Sequence, residues 1–203
     1  VTARQRAEAL IDETLSAHGL EVLLRRDVPV DTGVLRAAAV RSQLAIRQWL
    51  FVPRGLPGES VQPLDAPAQA AFERRIYDAL LVIEEQAYTD PQLAGLYPLS
   101  LSSATQVLKG RLNSNEVIPY FRDLVAPDHA VRSLYFHTRF STNTDPHPSM
   151  AQPFRLMAHN GELNTDRKNR IAEAALARAR GSRIYRPKGQ SDSSRLDLSL
   201  IHI

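Results

Sequence analysis

His137-Thr-Arg-Phe-Ser-Thr-Asn-Thr144, Ala151-Gln-Pro-Phe-Arg155 and Ala158-His-Asn-Gly-Glu-Leu-Asn-Thr165 follow one another between residues 137 and 165. Each is rich in small polar residues and stands beside a run with strand character. Val131–His137 reads as a strand, and so does Phe154–Ala158. Loops at strand ends on a rigid scaffold are where sites are usually built. Within these loops Arg139 offers a planar guanidinium that can hold a carboxylate through two parallel hydrogen bonds. It can equally serve backbone carbonyls as a structural arginine. Asn160-Gly161 offers a side-chain amide beside an unhindered backbone N–H, the makings of an oxyanion hole. The commoner reading of Asn-Gly is a plain turn. Further on, Ser191-Asp-Ser193 places Asp192 either as a partner for a substrate ammonium or as a helix N-cap.

Working outward, the N-terminal side reads as helix, strand, strand, helix. Thr2 caps a helix to about His18, with Ala7, Leu10, Ile11 and Leu15 on one face and Gly19 as its stop. Glu21–Arg26 is a strand. Leu44, Ile46, Leu50 and Val52 mostly alternate with Arg47, Trp49 and Phe51 and make a second. Residues 53–67 carry Pro53, Pro57, Pro63 and Pro67 and form a loop. Asp65 and Pro67 then open a helix whose apolar stripe is Phe72, Ile76, Leu80 and Ile83. Tyr97–Ser103 and Thr105–Lys109 read as paired strands, and Asp166–Arg180 as a helix. Strands in the middle with helices on either side make an α+β layered domain.

Composition narrows the function. The 203 residues contain no cysteine, which excludes a disulfide framework, a thiolate zinc site and a cysteine nucleophile within them, and fits a reducing, cytoplasmic setting. No apolar run approaches the ~20 residues that span a bilayer, so no membrane partner is expected. The net charge is +3 with the arginines scattered and aromatics at 6%, a poor match to the basic stripe with stacking rings that binds nucleic acid. His137, His147 and His159 have no zinc-type spacing, so no metal is expected. Ser100, Ser102 and Ser103 lack the G-x-S-x-G elbow of a serine hydrolase.

Taken in order and spacing, the three segments from His137 to Thr165 closely resemble the type-2 glutamine amidotransferase domain of glutamate synthase large chains. Tyr97-Pro-Leu-Ser-Leu-Ser-Ser103 and Val107-Leu-Lys-Gly110 match the hairpin that precedes them. Pro119-Tyr-Phe-Arg-Asp-Leu124, Val28-Pro-Val-Asp31 and Phe72-Glu-Arg-Arg-Ile-Tyr77 also fit. The resemblance covers most of the chain and is densest from about Leu96 to Asn169.

The resemblance implies an N-terminal-nucleophile hydrolase fold, a four-layer αββα sandwich, here incomplete at its N-terminus. It implies that glutamine is the substrate. Arg139 holds the α-carboxylate, Asp192 the α-amino group, and Asn160 and Gly161 form the oxyanion hole. The nucleophile is a terminal cysteine that precedes the segment matching Val1, so this piece alone is expected to be inactive. The parent would make two glutamates from glutamine and 2-oxoglutarate, in ammonia assimilation. It would use an FMN-binding synthase domain of the same chain, an iron–sulfur cluster, and a small electron-donating subunit or ferredoxin. The rival expectation is a nucleophile-less standalone module that binds or scaffolds. Residues 1–197 are expected to be the domain, and 198–203 a non-native tail.

Overall fold

The computed structural model describes residues 2–55, 63–138 and 167–181, together with residues 147, 148, 151, 154, 157, 193 and 196. The first helix, α1 (Ala3–Ala17), begins where the sequence places it. Thr2 Oγ1 accepts the Gln5 N–H at 3.2 Å, and the Gln5 side chain accepts the Thr2 N–H at 2.9 Å. This reciprocal cap satisfies two donors that a helix start otherwise leaves unpaired. Gly19, at φ +70°, then turns the chain directly into β1 (Leu20–Asp27), a backbone angle that glycine adopts without strain.

β1 pairs antiparallel with β2 (Arg47–Pro53), from Leu20 opposite Pro53 to Asp27 opposite Arg47. Between the strands lies a short helix, α2 (Ala37–Arg41). The register slips between Val22 and Leu24. A bulge there exchanges the two faces of the strand beyond it. Leu23 and Leu24 are therefore exposed, while Arg25 comes to lie opposite Trp49 on the side of α1. Asp12 of α1 receives both: Trp49 Nε1 donates to its Oδ1 at 2.8 Å, and Arg25 Nε does so at the same distance.

The long helix α3 (Ala66–Thr89) starts on Asp65, whose side chain accepts the Ala68 N–H at 2.8 Å, with Pro67 in the first turn. Its stripe of Phe72, Ile76, Ala79 and Ile83 packs on Ile11 and Leu15 of α1 and on Leu20, with Val22, Trp49 and Phe51 of the sheet against them. Leu15 and Ile76 are fully buried. Each such side chain contributes about 1.5–3 kcal/mol. A second cluster joins Val28, Tyr120 and Phe121, at the end of α4 (Ser114–Tyr120). The last helix is α5 (Arg167–Arg180).

Five elements read from sequence, α1, β1, β2, α3 and α5, are present within a few residues of the expected bounds. The strands expected at Tyr97–Ser103, Thr105–Lys109 and Val131–His137 are not: these residues carry no strand pairing. A strand exists only where a neighbour completes its ladder. In 97–109 side chains take that part instead, and Pro98 brings no N–H. The Ser100 hydroxyl accepts the Val107 N–H at 3.3 Å, and the Glu73 carboxylate accepts the Ser103 N–H. In 131–137 the apolar row of Val131, Leu134, Tyr135 and Phe136 lies exposed, Phe136 at 78%. Phe154 and Met157 are likewise outside any strand, and the remainder of Phe154–Ala158 lies outside the described residues. Among the described residues the fold is mixed helix and sheet, with one two-stranded sheet. Residues 198–203 also lie outside the description.

Candidate active site

The sequence motifs are far apart along the chain, and the fold brings them together in three joints. In the first, Val28-Pro-Val-Asp31 lies against Pro119–Leu124. Val30 forms an isolated antiparallel bridge with Phe121. The Asp31 N–H donates to Tyr120 O at 2.8 Å and the Arg122 N–H to Pro29 O at 3.0 Å. Two ion pairs clamp its ends: Arg122 with Asp31 at 3.3 Å, and Arg26 with Asp123 through Nη1 and Nη2. The fork geometry of the second holds direction as well as distance. Tyr120 and Phe121 meet edge to face, with ring centroids 4.8 Å apart.

In the second joint, the Phe72–Tyr77 stretch of α3 holds Ser100–Ser103. One oxygen of Glu73 accepts the Ser103 N–H at 2.8 Å and the Ser103 hydroxyl at 2.5 Å, with the Ser102 hydroxyl at 3.4 Å. Gln69 Nε2 donates to the Ser103 hydroxyl at 2.5 Å. A carboxylate accepting several donors at once makes strong, charge-assisted bonds.

The third joint ties the 97–110 segment to the Ala151–Arg155 motif. Lys109 is only 8% exposed. Its ammonium donates to Ala151 O at 2.6 Å and stands 4.6 Å from the centre of the Phe154 ring. A buried cation needs such compensation, and a carbonyl oxygen with a ring face supplies it. Nearby, Tyr97 packs edge to face on His147 at 5.1 Å. Burial pushes the Tyr97 phenol up to about 12, with Tyr88 adding to the shift.

Glu116, next to the first joint, is the other strongly placed carboxylate. It accepts the Asn113 N–H at 2.6 Å and the Arg36 N–H at 3.1 Å, and its side chain is 7% exposed. These two backbone donors, the Asn113 N–H foremost, hold it below the usual glutamate range. Reading the sequence for chemistry missed Glu73, Lys109 and Glu116 as individual residues. Asn113-Ser-Asn-Glu116 did carry a signal, a cap residue with Glu three positions on. Glu73 and Lys109 had none beyond their membership of longer motifs.

Arg139, Asn160, Gly161 and Asp192 lie outside the described residues. What is described is the frame on either side of them: His137 and Thr138 before Arg139, then Ala151, Phe154 and Met157, then α5. In the frame, the Phe154 N–H donates to Met157 O at 3.2 Å. No group of acidic or histidine side chains among the described residues is arranged to hold a metal ion. No described helix is long and apolar enough to cross a membrane.

Comparison with known proteins agrees with this frame. The family model for class-II glutamine amidotransferases matches residues 1–199. Among curated proteins, the glutamate synthase [NADPH] large chain of Bacillus subtilis is 38% identical over 170 residues, 82% of this chain and 10% of its own length. The ferredoxin-dependent glutamate synthase 2 of Synechocystis is 35% identical over 81% of this chain and 10% of its own. The glutamate synthase [NADH] of Saccharomyces cerevisiae is 31% identical over 95% and 9%. The chain thus spans about a tenth of the length of these relatives. Its motif order, the meeting of those motifs in space and a match along nearly the whole chain agree, and the chain belongs to the class-II glutamine amidotransferases.

Proposed function

We propose that the chain is the glutamine-hydrolysing domain of a glutamate synthase, with the N-terminal-nucleophile hydrolase fold of four αββα layers. The observation that supports this most is the set of three joints. Motifs matched separately to the glutamate synthase pattern, Val28–Asp31 with Pro119–Leu124, Phe72–Tyr77 with Ser100–Ser103, and Lys109 with Ala151–Phe154, are neighbours in space. In this reading Arg139 holds the α-carboxylate of L-glutamine and Asp192 its α-amino group. A thiolate attacks the side-chain amide carbon, and Asn160 with the Gly161 N–H stabilises the oxyanion. The α-amine of the terminal cysteine takes the thiol proton and passes it to the amide nitrogen, so that collapse of the tetrahedral species breaks the C–N bond and releases ammonia. Water then opens the thioester to give glutamate.

These 203 residues contain no cysteine, so the thiol comes from a segment outside them. The same composition means that they do not hold an iron–sulfur cluster, which thiolates ligate. The cluster and FMN are proposed for other parts of the parent chain. That parent would pass ammonia to its FMN-binding synthase domain and draw electrons from ferredoxin or from a small reducing subunit, in the cytosol. Ferredoxin stands in the name of one relative and NADPH in that of another; FMN, the cluster and the compartment rest on the resemblance of the motifs.

The test is glutamate release from glutamine by the purified 203-residue chain, and by the same chain extended upstream to a terminal Cys. The short chain is expected to be inactive and the extended one active. In the extended protein Asn160→Ala should lower kcat by about 10²–10³-fold. Arg139→Ala should weaken glutamine binding by about 2–5 kcal/mol, the loss expected when one partner of a desolvated ion pair is removed. Turnover by the short chain overturns the nucleophile argument. An extended chain that binds glutamine without hydrolysing it turns the reading to a binding or scaffold module.

A further inference from the structure

The chemistry proposed above gives Lys109 no task, yet its ammonium is kept in a place that is costly for charge, with the residue only 8% exposed. Replacing a buried ionic group by an apolar side chain of similar size is often neutral or stabilising. Stability alone is thus a weak reason for a lysine here. What an apolar side chain does not supply is direction. The ammonium donates to Ala151 O at 2.6 Å and stands 4.6 Å from the centre of the Phe154 ring. These two contacts, on a main-chain carbonyl and on a ring face, fix the orientation of this part of the loop as well as its position.

Lys109 is itself held from α3. Glu73 accepts the Ser103 N–H, the Ser100 hydroxyl accepts the Val107 N–H, and Val107 is buried just before Lys109. On the other side, the Phe154 N–H donates to Met157 O at 3.2 Å. Asn160 follows Met157 by three residues, a reach of roughly 11 Å at most. A line of contacts therefore runs from a packed helix to within three residues of the proposed oxyanion donors. We propose that Lys109 is a positioning residue: by gripping Ala151 and Phe154 it sets where the Asn160 amide and the Gly161 N–H stand when the tetrahedral species forms. It acts through the loop, not on glutamine. Lys109 has this role only if the glutaminase reading above holds.

The assay is glutamine hydrolysis by the extended protein with its terminal Cys. Active sites are counted by end-point titration with a haloketone analogue of glutamine, which alkylates the thiol, so that rates are expressed per intact site. Lys109→Met keeps the apolar stem and removes the charge. It should lower kcat and kcat/KM together by about 10–100-fold, the scale of a displacement of about 1 Å at the reacting centre. Its urea midpoint should stay near that of the wild type. Phe154→Leu keeps apolar bulk and removes the ring face. It should lower kcat less, and the double variant should lose less than the product of the two losses, because both substitutions break one link. Leu15→Ala, in the other core, is the contrast: it should lower the urea midpoint and leave kcat per titrated site unchanged. An unchanged kcat per titrated site in Lys109→Met, or a rise in KM alone, overturns the positioning role while the wild type still hydrolyses glutamine. If Lys109→Met does not fold, Phe154→Leu decides in the same way. An extended wild type that does not hydrolyse glutamine overturns the glutaminase reading and this role with it.

Discussion

Removing the ring of Phe121 gives the sharpest check on the joint between Val28–Asp31 and Pro119–Leu124. Phe121 is fully buried, packs with Val28 and Tyr120, and carries the backbone bridge to Val30. Truncating a buried Phe to Ala costs about 3–5 kcal/mol, the lost transfer energy plus the cavity left behind. The upper half of that range applies here. The edge-to-face contact with Tyr120 is lost as well, and ion pairs at both ends of the joint keep the site from collapsing around the gap. Against a total stability of about 5–15 kcal/mol for a domain, this is a large fraction. Urea unfolding followed by far-ultraviolet circular dichroism reads the loss. The single tryptophan, Trp49, reports on the other core, so its fluorescence is followed in the same titration. Phe121→Ala should lower both midpoints together by an amount equivalent to about 4 kcal/mol. A loss under about 1 kcal/mol, the size of an ordinary surface change, would refute the placement of Phe121 at the centre of the joint. A fall in the circular dichroism midpoint alone would show that the two cores unfold independently.

Asp12→Ala removes the acceptor shared by Trp49 and Arg25. It should cost about 1–3 kcal/mol and shift the Trp49 emission, whereas a spectrum unchanged in wavelength would count against the indole hydrogen bond. Glu116 has its pKa depressed below the ordinary 4.5, so the folded state holds its proton less tightly than the unfolded chain. Its contribution is present above pH 4.5 and is lost as the pH falls through the lower, folded-state value. Glu116→Gln should therefore destabilise the protein at neutral pH and flatten the acid limb of stability against pH. An acid limb of the same slope in variant and wild type would rule the assignment out.

Much of the first half of the fold is legible residue by residue, because its signals are local. Thr2 with Gln5, Asp65 with Pro67, and the Phe72–Ile76–Ile83 stripe each state a helix start or a buried face within a few positions. The β1 bulge is not legible. Leu23 and Leu24 look like core residues in the sequence, and only the pairing with β2 turns them out. The segments at 97–109 and 131–137 show the opposite failure. Both contain apolar and aromatic residues that suit a strand, but such a composition says nothing about whether a neighbour completes its ladder. Side chains of α3 and the 97–109 segment itself occupy that role in the first, and the second keeps its apolar residues exposed. For the site, the motifs were legible as motifs. The clamping residues Glu73 and Lys109 became individual only through contacts spanning 30 and 42 positions.

The Arg26–Asp123 fork joins residues 97 positions apart, and Arg122–Asp31 joins residues 91 apart. A ribosome adds about 5–20 residues per second, so Arg26 is exposed for roughly 5–20 seconds before Asp123 has even been made. During that wait α1, the hairpin and α3 can already be assembled, since every partner in their shared core except Leu101 lies within the first 83 residues. The Val28–Asp31 turn must stay open until α4 arrives. Birth order alone therefore divides the molecule into an early unit that closes on itself and a late strap. A chaperone that binds exposed apolar turns would find its target in the interval, on Val28 and Val30, before Phe121 covers them.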